Sequence, residues 1–380
     1  MKKLKFIIAI PTFNRLLKLK EAVNSILQQK FDNLELKIVI SNSFSNDGTY
    51  QYLENLRKDS RFIIYNKEET CPKHYLSQFI NFRNLAELLP HDADWVWWLG
   101  DDDKMVSKSS LSLVANKIKE FDCNDLYFVH ACHPDRASKN CKVFKDNILN
   151  LCDTFGYHEL LGWMSSIILK KSALKKILID STQNLYFIDT KDHSASSCFA
   201  HSASILKNYH AKKGLFLDYP LVTNQDEKQT IDTKKRWEEE NVGNRYFKII
   251  DDIFDLKDKL PKKSFSRNFF RYQTYHLWDH LGEYLIRKAI VIGKKCVEEG
   301  RHVNDSEFVY IKEKWLKIVK IAELLEDLES QKILGFTFQS GLNYSNLYLS
   351  TLSEEIKNDY LLKLRQIICI TNYQKSIAKG

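Results

Sequence analysis

The chain has 380 residues, and no apolar run in it approaches the roughly 20 residues that a membrane-crossing helix needs. An N-terminal run, Phe6–Ile10, follows three lysines and ends at Pro11. It is too short to be the apolar core of a signal peptide, and we expect it to form a buried first strand. The apolar fraction of 44% excludes a disordered chain.

The eight cysteines form no Cys-x-x-Cys pair and no paired His-Cys spacing. This pattern argues against a disulfide framework and against a structural zinc site. We expect reduced thiols, as in a cytosolic protein.

A basic stripe is also missing. The formal net charge is +8, but residues 1–230 carry 31 basic and 27 acidic side chains, and residues 231–380 carry 26 and 22. A nucleic-acid-binding protein usually concentrates its basic residues, so this even excess argues against nucleic acid as a partner. It suits contact with anionic small molecules or an anionic membrane surface.

The first 130 residues alternate apolar runs with amphipathic stretches. This alternation predicts an α/β fold with a mostly parallel sheet covered by helices on both faces. Ligands of such sheets bind beyond the carboxyl ends of the strands, so we expect function in the loops after Ile10, Ile40 and Leu99. The predicted strands are Phe6–Ile10, Leu36–Ile40, Phe62–Tyr65, Trp95–Leu99 and Leu126–Val129, and the predicted helices are Leu17–Gln29, Thr49–Lys58, Leu76–Leu89 and Ser109–Phe121.

We predict a first domain at residues 1–230, with a first half at 1–130 and a second half at 131–230. The second half is expected to hold a helix over Ser194–Tyr209 and a strand near Leu215–Leu217. Proline becomes rare after residue 232, and the amphipathic pattern predicts a helical C-terminal domain at 231–380. Its predicted helices are Lys234–Ile253, Phe269–Glu298, Glu307–Leu328 and Leu352–Ile368.

The most informative motif is Trp95-Val-Trp-Trp-Leu-Gly-Asp-Asp-Asp103, in which a buried strand leads directly into three carboxylates. Adjacent carboxylates repel one another unless a cation is nearby, and hard divalent ions prefer oxygen ligands. The alternative is a solvated turn that caps a helix starting near Ser107 or Ser109. The position at a strand's carboxyl end favours the metal site.

Two polar loops follow the first two strands. Ile8-Ala-Ile-Pro-Thr-Phe-Asn-Arg15 ends the first, and Ile40-Ser-Asn-Ser-Phe-Ser-Asn-Asp-Gly-Thr49 ends the second. Such loops offer backbone N–H groups and short polar side chains to a nucleotide. Each loop taken singly is also an ordinary turn.

Taken in order with Phe82-Arg83-Asn84 and the acidic triplet, these motifs resemble the nucleotide-sugar glycosyltransferases of family 2, which have the GT-A fold. The resemblance covers about residues 5–225. It implies a GT-A catalytic domain at 1–230, with a donor half at 1–130 and an acceptor half at 131–230. It extends to abequosyltransferase-like O-antigen sugar transferases through Trp163-Met-Ser-Ser-Ile-Ile-Leu-Lys-Lys171 and Phe199-Ala-His201.

The resemblance implies a role for each matching position. Asp102 would be the direct ligand of Mn²⁺ or Mg²⁺, assisted by Asp103, and the cation would neutralise the departing diphosphate. Asn42 stands where the family usually has an aspartate that contacts the base, which weakens the preference for a pyrimidine. The implied nucleotide-sugar-binding residues are Pro11, Thr12, Asn14, Arg15, Asn42, Arg83, Asp101 and Asp102.

The catalytic base is less determined by the sequence. Many relatives place a Glu-Asp pair at the acceptor-side helix, where this chain has Ala200-His201. His201 is a candidate base, with a packing role as the equal alternative. Asp189 and Asp192 are further candidates, with loop or N-cap roles as their alternatives. Trp163 and Ser165 are expected near the acceptor.

The sequence therefore predicts an inverting, metal-dependent glycosyltransferase. It would move a sugar, from a UDP-type donor in the first instance, to a glycan or lipid-linked glycan in bacterial surface polysaccharide assembly. We expect it in the cytoplasm, with the C-terminal helices either packing on the catalytic domain or docking on the inner face of the membrane. The alternatives are a non-catalytic sugar-nucleotide-binding or scaffold subunit and a nucleotidyltransferase; the latter should have a glycine-rich basic loop, which this sequence lacks.

Overall fold

The computed structural model describes residues 3–32, 34–67, 76–121, 125–138, 140–180, 200–225, 251–261, 265–266, 268–272 and 275–276, and the single positions 313, 316, 317, 320 and 354. These residues fall into two compact units, one up to residue 225 and the other from residue 251.

The predicted alternation of strands and helices in the donor half is confirmed. Strands form where apolar residues are continuous: Phe6 to Ile10 are all buried. Helix α1 turns Leu19, Ala22, Val23 and Ile26 into the core and its polar residues outward. The elements are β1 (Leu4–Thr12), α1 (Leu16–Leu27), β2 (Leu34–Ser43), α2 (Thr49–Leu56), β3 (Phe62–Lys67), α3 (Leu76–Leu88), β4 (Trp95–Trp98), β5 (Asp103–Met105), α4 (Ser110–Glu120) and β6 (Leu126–Cys132).

The acceptor half continues the same sheet. Its elements are β7 (Val143–Asn147), α5 (Ile148–Phe155), α6 (Tyr157–Leu161), a 3₁₀ turn (Met164–Ser166), β8 (Ile167–Lys170), α7 (Lys171–Asp180), α8 (Ala200–Tyr209), β9 (Lys213–Pro220) and β10 (Val222–Asn224). The strand predicted near Leu215–Leu217 is thus confirmed within a longer β9. The described part of the helix predicted over Ser194–Tyr209 is α8.

The large sheet has the strand order β3-β2-β1-β4-β8-β6-β9-β7. Strands β1, β2, β3 and β4 run parallel, as do β6 and β9. Strand β8 is antiparallel to both of its neighbours, β4 and β6, and β7 is antiparallel to β9. The register places Ile8 between Ile38 and Trp97, so the carboxyl ends of β1, β2 and β4 meet at one edge.

The second unit departs from the sequence prediction. The helix expected over Phe269–Glu298 is wrong at its start, where the chain forms a 3₁₀ turn (Asn268–Phe270) and an antiparallel pair of two short strands, β11 (Arg271–Tyr272) and β12 (Tyr275–His276). Aromatic residues favour strands, and the buried rings of Phe265, Phe269 and Phe270 pack on one another.

The remaining C-terminal predictions are only partly covered by the described residues. Residues 251–256 are helical and include the end of the helix predicted over Lys234–Ile253. The isolated described positions 313, 316, 317, 320 and 354 are also helical. The predicted boundary at residue 230 lies outside the described residues and stays a prediction.

Candidate active site

The site is built where β1, β2 and β4 end side by side. Thr12, the last residue of β1, lies opposite Asn42 of β2, and Ala9 of β1 lies opposite Trp98 of β4. Asp101 follows β4 after two residues. Parallel pairing therefore brings the loop of residues 12–15 and the acidic triplet to one edge, as the sequence predicts.

Two side chains from the first loop hold the acidic triplet. The Thr12 hydroxyl donates to Asp101 Oδ2 at 2.7 Å. One guanidinium nitrogen of Arg15, Nη1, lies 3.1 Å from Asp101 Oδ1 and 2.5 Å from Asp102 Oδ2. Arg15 thus bridges a buried and a half-exposed carboxylate, and both predicted donor-site residues contact the triplet.

Asp103 is anchored by the distant residue Ser165. The Ser165 hydroxyl donates to Asp103 Oδ2 and accepts from the backbone N–H of Gly100 at 2.7 Å. The Trp97 indole N–H donates to the Ser165 carbonyl oxygen at 2.8 Å. Ser165 is fully buried, and its hydrogen bonds hold the acidic motif in place. Its predicted place near the acceptor stays a prediction.

The triplet continues into a short antiparallel pair. Asp103 begins β5 and pairs with Asn224 of β10. The next residue, Gln225, donates its backbone N–H to the Asp102 carbonyl oxygen at 2.9 Å, and its side-chain amide donates to the Lys18 carbonyl oxygen at 2.9 Å. The helix-capping alternative for the triplet is wrong, since α4 starts after Ser109 with no side-chain cap.

Gly100 lets the two carboxylates approach the backbone. A Cβ atom at this position would lie 2.7 Å from Asp103 Oδ2, 2.9 Å from Asp102 Oδ1 and 3.1 Å from the Ser165 hydroxyl. Cβ atoms essentially never lie within 3.0 Å of another heavy atom, so both carboxylates would have to shift if residue 100 carried a side chain.

Burial dominates the electrostatics of the triplet. Burial raises the pKa of Asp101 to about 6, opposed by the Arg15 charge and aided by Asp102. Burial, together with the Asp102 charge, raises the pKa of Asp103 to about 7, although hydrogen bonds from Ser165 and the Trp163 indole oppose the rise. An added positive charge nearby would therefore stabilise the ionised form of both carboxyl groups.

The acidic triplet could supply only part of the ligands of a divalent cation. The part of the chain that the structure describes contains no group of three or more His, Cys, Asp or Glu side chains arranged to hold a metal. Asp102 and Asp103 could supply one or two oxygens, and Mg²⁺ or Mn²⁺ at phosphate sites commonly takes its other ligands from phosphate and water. The donor set suits a metal that arrives with a diphosphate.

The loop after the second strand holds the loop after the first strand in place through hydrogen bonds. Asn14 has a left-handed backbone (φ 51°), its N–H donates to the Ser45 hydroxyl at 2.8 Å, and its Oδ1 accepts from the Asn46 N–H at 2.8 Å. Asp47 Oδ2 accepts from the Leu16 N–H at 2.9 Å, at the start of α1. These bonds fix the turn that places Arg15 against the triplet.

Three other predicted donor residues are placed less directly. Pro11 lies in β1 beside Ser41. Asn42 is fully buried; its amide donates to Asn66 Oδ1 at 2.7 Å and its Oδ1 accepts from the Ser45 hydroxyl at 2.5 Å. Arg83 lies on the exposed side of α3, with its Nε 3.5 Å from Glu87. Their roles toward a nucleotide stay predictions.

His201 has the surroundings of a packing residue. It is buried, its Nε2 lies 2.9 Å from the Leu161 carbonyl oxygen, and its ring meets Trp98 edge-on. Burial lowers the pKa of His201 to about 4. This geometry favours the packing alternative over the predicted base, while Asp189 and Asp192 lie outside the described residues.

Sequence reasoning missed His133, which follows β6 at the same sheet edge. Its Nε2 lies 3.0 Å from Asn224 Oδ1 and 3.1 Å from the Thr223 hydroxyl, and its ring packs edge-on against Trp163. Trp163, predicted near the acceptor, therefore lies between His133 and Asp103. The available signal was that His133 follows a predicted strand.

Part of the chain is similar in sequence to known proteins. The sequence model of the family "Glycosyl transferase family 2" matches residues 7–139. Abequosyltransferase RfbV of Salmonella typhimurium is 30% identical over 192 residues, which are 46% of this chain and 55% of that protein. The GalNAc(5)-diNAcBac-PP-undecaprenol beta-1,3-glucosyltransferase of Campylobacter jejuni is 33% identical over 116 residues, 30% of this chain and 35% of that protein.

The solved structure of S. aureus TarS 1–349 in complex with UDP-GlcNAc superposes with a TM-score of 0.52 at 15% identity, covering 90% of this chain and 92% of that one. At this identity the likeness concerns the fold, which is GT-A. At the level of sequence, the similarity to glycosyl transferase family 2 is confined to residues 7–139. The chain spans only about half, or less, of the two curated relatives.

Among the helices that the structure describes, none has both the length and the apolar character to span a membrane.

Proposed function

We propose that this protein is a glycosyltransferase that moves a sugar from a nucleoside-diphosphate sugar to a hydroxyl group of a glycan or lipid-linked glycan. One observation carries the proposal: three consecutive carboxylates at the end of β4, tied to the first loop by Thr12 and Arg15 inside a family 2 domain. Burying two carboxyl groups costs free energy, and a protein that had lost its binding function would have no reason to keep them buried.

The donor half would bind the nucleotide beside Thr12, Asn14 and Arg15. The guanidinium of Arg15 is about half exposed, so a phosphate could reach it from solvent. Asn42 and Arg83 complete the proposed donor set. UDP is the first nucleotide to test because the TarS structure contains UDP-GlcNAc.

Asp102 and Asp103 would hold Mn²⁺ or Mg²⁺ together with the diphosphate. A bound divalent cation stabilises the negative charge on a departing diphosphate. The residues of this chain keep both carboxylates in place: Ser165 and Gly100 fix Asp103, and Gln225 fixes the Asp102 backbone.

The transfer would invert the anomeric carbon. The acceptor oxygen forms a bond to that carbon as the bond to the diphosphate oxygen breaks, and a base takes the hydroxyl proton. Asp189 and Asp192 remain the proposed bases, because His201 is buried and bonded to the backbone. Trp163 would offer its ring to the acceptor sugar.

The names of the relatives suggest the pathway. One is an abequosyltransferase and the other acts on an undecaprenol-linked glycan, so we propose a role in bacterial surface polysaccharide assembly, such as O-antigen or capsule. Lipid-linked acceptors would place the reaction at the inner face of the cytoplasmic membrane. The C-terminal residues would then contact that surface.

The test is thermal unfolding with UDP, dTDP, GDP, CDP and CMP, each with and without Mn²⁺. A ligand at 100 times its Kd stabilises the folded state by about 2.7 kcal/mol, which raises the Tm by about 5 °C or more. We expect one diphosphate to give a Mn²⁺-dependent rise that Asp102→Asn abolishes. Asp59→Asn, which alters an exposed carboxylate paired with Arg61, is the matched control and should keep the rise.

No rise with any nucleotide would contradict the donor-site assignment. A non-catalytic scaffold on the same fold would then become the better explanation.

A further inference from the structure

The acidic triplet already has a cation. Among the residues that the structure describes, Arg15 is the basic side chain recorded in ion pairs with Asp101 and Asp102, at 3.1 Å and 2.5 Å. Lys104 is adjacent in sequence, but its Nζ lies toward Glu21 at 3.8 Å. One guanidinium therefore offsets part of the charge of three carboxyl groups.

The position of Arg15 is set by its backbone. Asn14 precedes it in a left-handed conformation and is bonded on both sides to residues 45 and 46. Leu16 follows it and is bonded to Asp47. Only the side chain of Arg15 can move without disturbing these contacts, and that side chain is 46% exposed.

Arg15 also orients the carboxylate that a metal would use. Arg15 Nη1 donates a hydrogen bond to Asp102 Oδ2. The other oxygen of that carboxylate, Oδ1, faces the space beside Gly100 together with Asp103 Oδ2. A divalent ion bound to Asp102 would thus lie next to a guanidinium. Like charges at that separation repel strongly in a partly buried site, so both cannot bind Asp102 well at once.

We propose that Arg15 is a tethered counter-cation that makes metal binding depend on the nucleotide: it neutralises Asp101 and Asp102 while the site is empty, and it transfers to the diphosphate when the donor arrives. This inference rests on the proposed donor site and adds that metal binding there depends on the nucleotide. Arginine suits the exchange because its planar fork pairs equally well with carboxylates and phosphates.

The exchange predicts a reciprocal effect. If the diphosphate draws Arg15 away from Asp102, then UDP strengthens Mn²⁺ binding, and Mn²⁺ strengthens UDP binding by the same factor. Removing the guanidinium should raise the affinity for Mn²⁺ alone and reduce the gain that UDP adds. Arg15 is in this sense a positioning residue for the metal.

The experiment measures Mn²⁺ binding directly, from the loss of the free Mn²⁺ signal in electron paramagnetic resonance, without and with UDP. It uses the full chain as wild type, Arg15→Gln, Arg15→Lys and Lys104→Gln. Lys104→Gln removes the same charge one residue from the triplet without touching the carboxylates, so it controls for net charge. Circular dichroism checks that each variant is folded.

We expect Arg15→Gln to bind Mn²⁺ alone at least about tenfold more tightly than the wild type, with a correspondingly smaller effect of UDP. Arg15→Lys should stay close to the wild type because it keeps the positive charge, and Lys104→Gln should change the affinity little. Adding Asp102→Asn to Arg15→Gln should remove the gain.

Two results would overturn the inference in distinguishable ways. If Arg15→Gln binds Mn²⁺ alone no better than the wild type, while the wild type binds Mn²⁺ with UDP, the exchange is wrong and the proposed donor site stands. If no variant binds Mn²⁺, with UDP or with any other nucleotide of the thermal panel, both the exchange and the proposed metal dependence fail.

Discussion

His201 offers a test that separates a catalytic role from a structural one. Its ring is buried, its Nε2 lies 2.9 Å from the Leu161 carbonyl oxygen, and burial lowers its pKa from 6.5 to about 4. As the pH falls below 6.5, the unfolded chain takes up a proton that the folded protein resists. The stability contributed by the neutral ring is therefore present above pH 6.5 and is lost as the pH falls through 4.

The size of this loss follows from the two pKa values. At pH 5 the imidazole is mostly protonated in the unfolded chain and mostly neutral in the folded protein, which removes about 2 kcal/mol of stability relative to pH 8. For a domain of this size, that is a fall in Tm of about 4–8 °C. His201→Gln keeps an N–H donor for Leu161 but does not titrate, so its Tm should fall less between pH 8 and pH 5.

The assay is thermal unfolding at pH 8, 7, 6 and 5 for the wild type, His201→Gln and the control His91→Gln, which replaces an exposed histidine. The Tm difference between His201→Gln and wild type should move in favour of the variant as the pH falls, while the difference for His91→Gln stays constant. Equal pH dependence of the wild type and His201→Gln would refute the reasoning.

A kinetic measurement complements the thermal one. A general base contributes about 10²–10⁴-fold to a rate, so kcat should fall by that amount in His201→Gln if the imidazole takes the acceptor proton. The packing role predicts that kcat stays within a few-fold of the wild type at temperatures where the variant is folded.

Three further changes test the architecture of the acidic edge. Gly100→Ala places a methyl group 2.7 Å from an Asp103 oxygen and should lower stability by about 1–3 kcal/mol, visible as a lower Tm with weaker Mn²⁺-UDP binding; an unchanged protein would contradict the close approach. Asn81→Ala leaves the Thr12 carbonyl and two serine hydroxyls without their buried partner, and should lower the stability measured by urea unfolding by about 1–3 kcal/mol. An unaltered urea midpoint would contradict this expectation. Trp163→Phe removes the indole donor to Asp103, so the pKa of that carboxyl should rise further and the Mn²⁺-UDP-induced rise in Tm should appear only at higher pH; the same pH dependence as wild type would argue against the contact.

The donor half was readable from the sequence because its strands are continuous apolar runs and its connections are short. Parallel pairing then follows from the alternation, and with it the meeting of Thr12 and Asp101 at one edge, 89 residues apart in the chain. The acidic triplet could be placed because its strand, Trp95–Trp98, is unmistakably buried.

The supports of the triplet could not be read in the same way. Ser165 bonds across 62 residues to Asp103 and Gln225 across 124 residues to the Asp101 backbone, and neither has a local pattern that reports such a contact. Strand β8 lies between β4 and β6, antiparallel to both, an insertion that no periodicity of the segment predicts. The role of His201 depended on burial, and a helical position alone does not say which way its ring faces.

The acidic edge can be neutralised by three kinds of positive charge, and their competition sets its behaviour. Burial raises the pKa of Asp101 to about 6 and that of Asp103 to about 7, so protons neutralise these carboxyl groups as the pH falls through that range. Arg15 neutralises Asp101 and Asp102 while they are ionised. A divalent ion must displace both the protons and Arg15, and the incoming diphosphate can help to displace only Arg15. Metal binding should therefore weaken below about pH 7 whatever the nucleotide, and above that pH it should depend on the nucleotide both through Arg15 and through the phosphate oxygens that would join the metal's ligands.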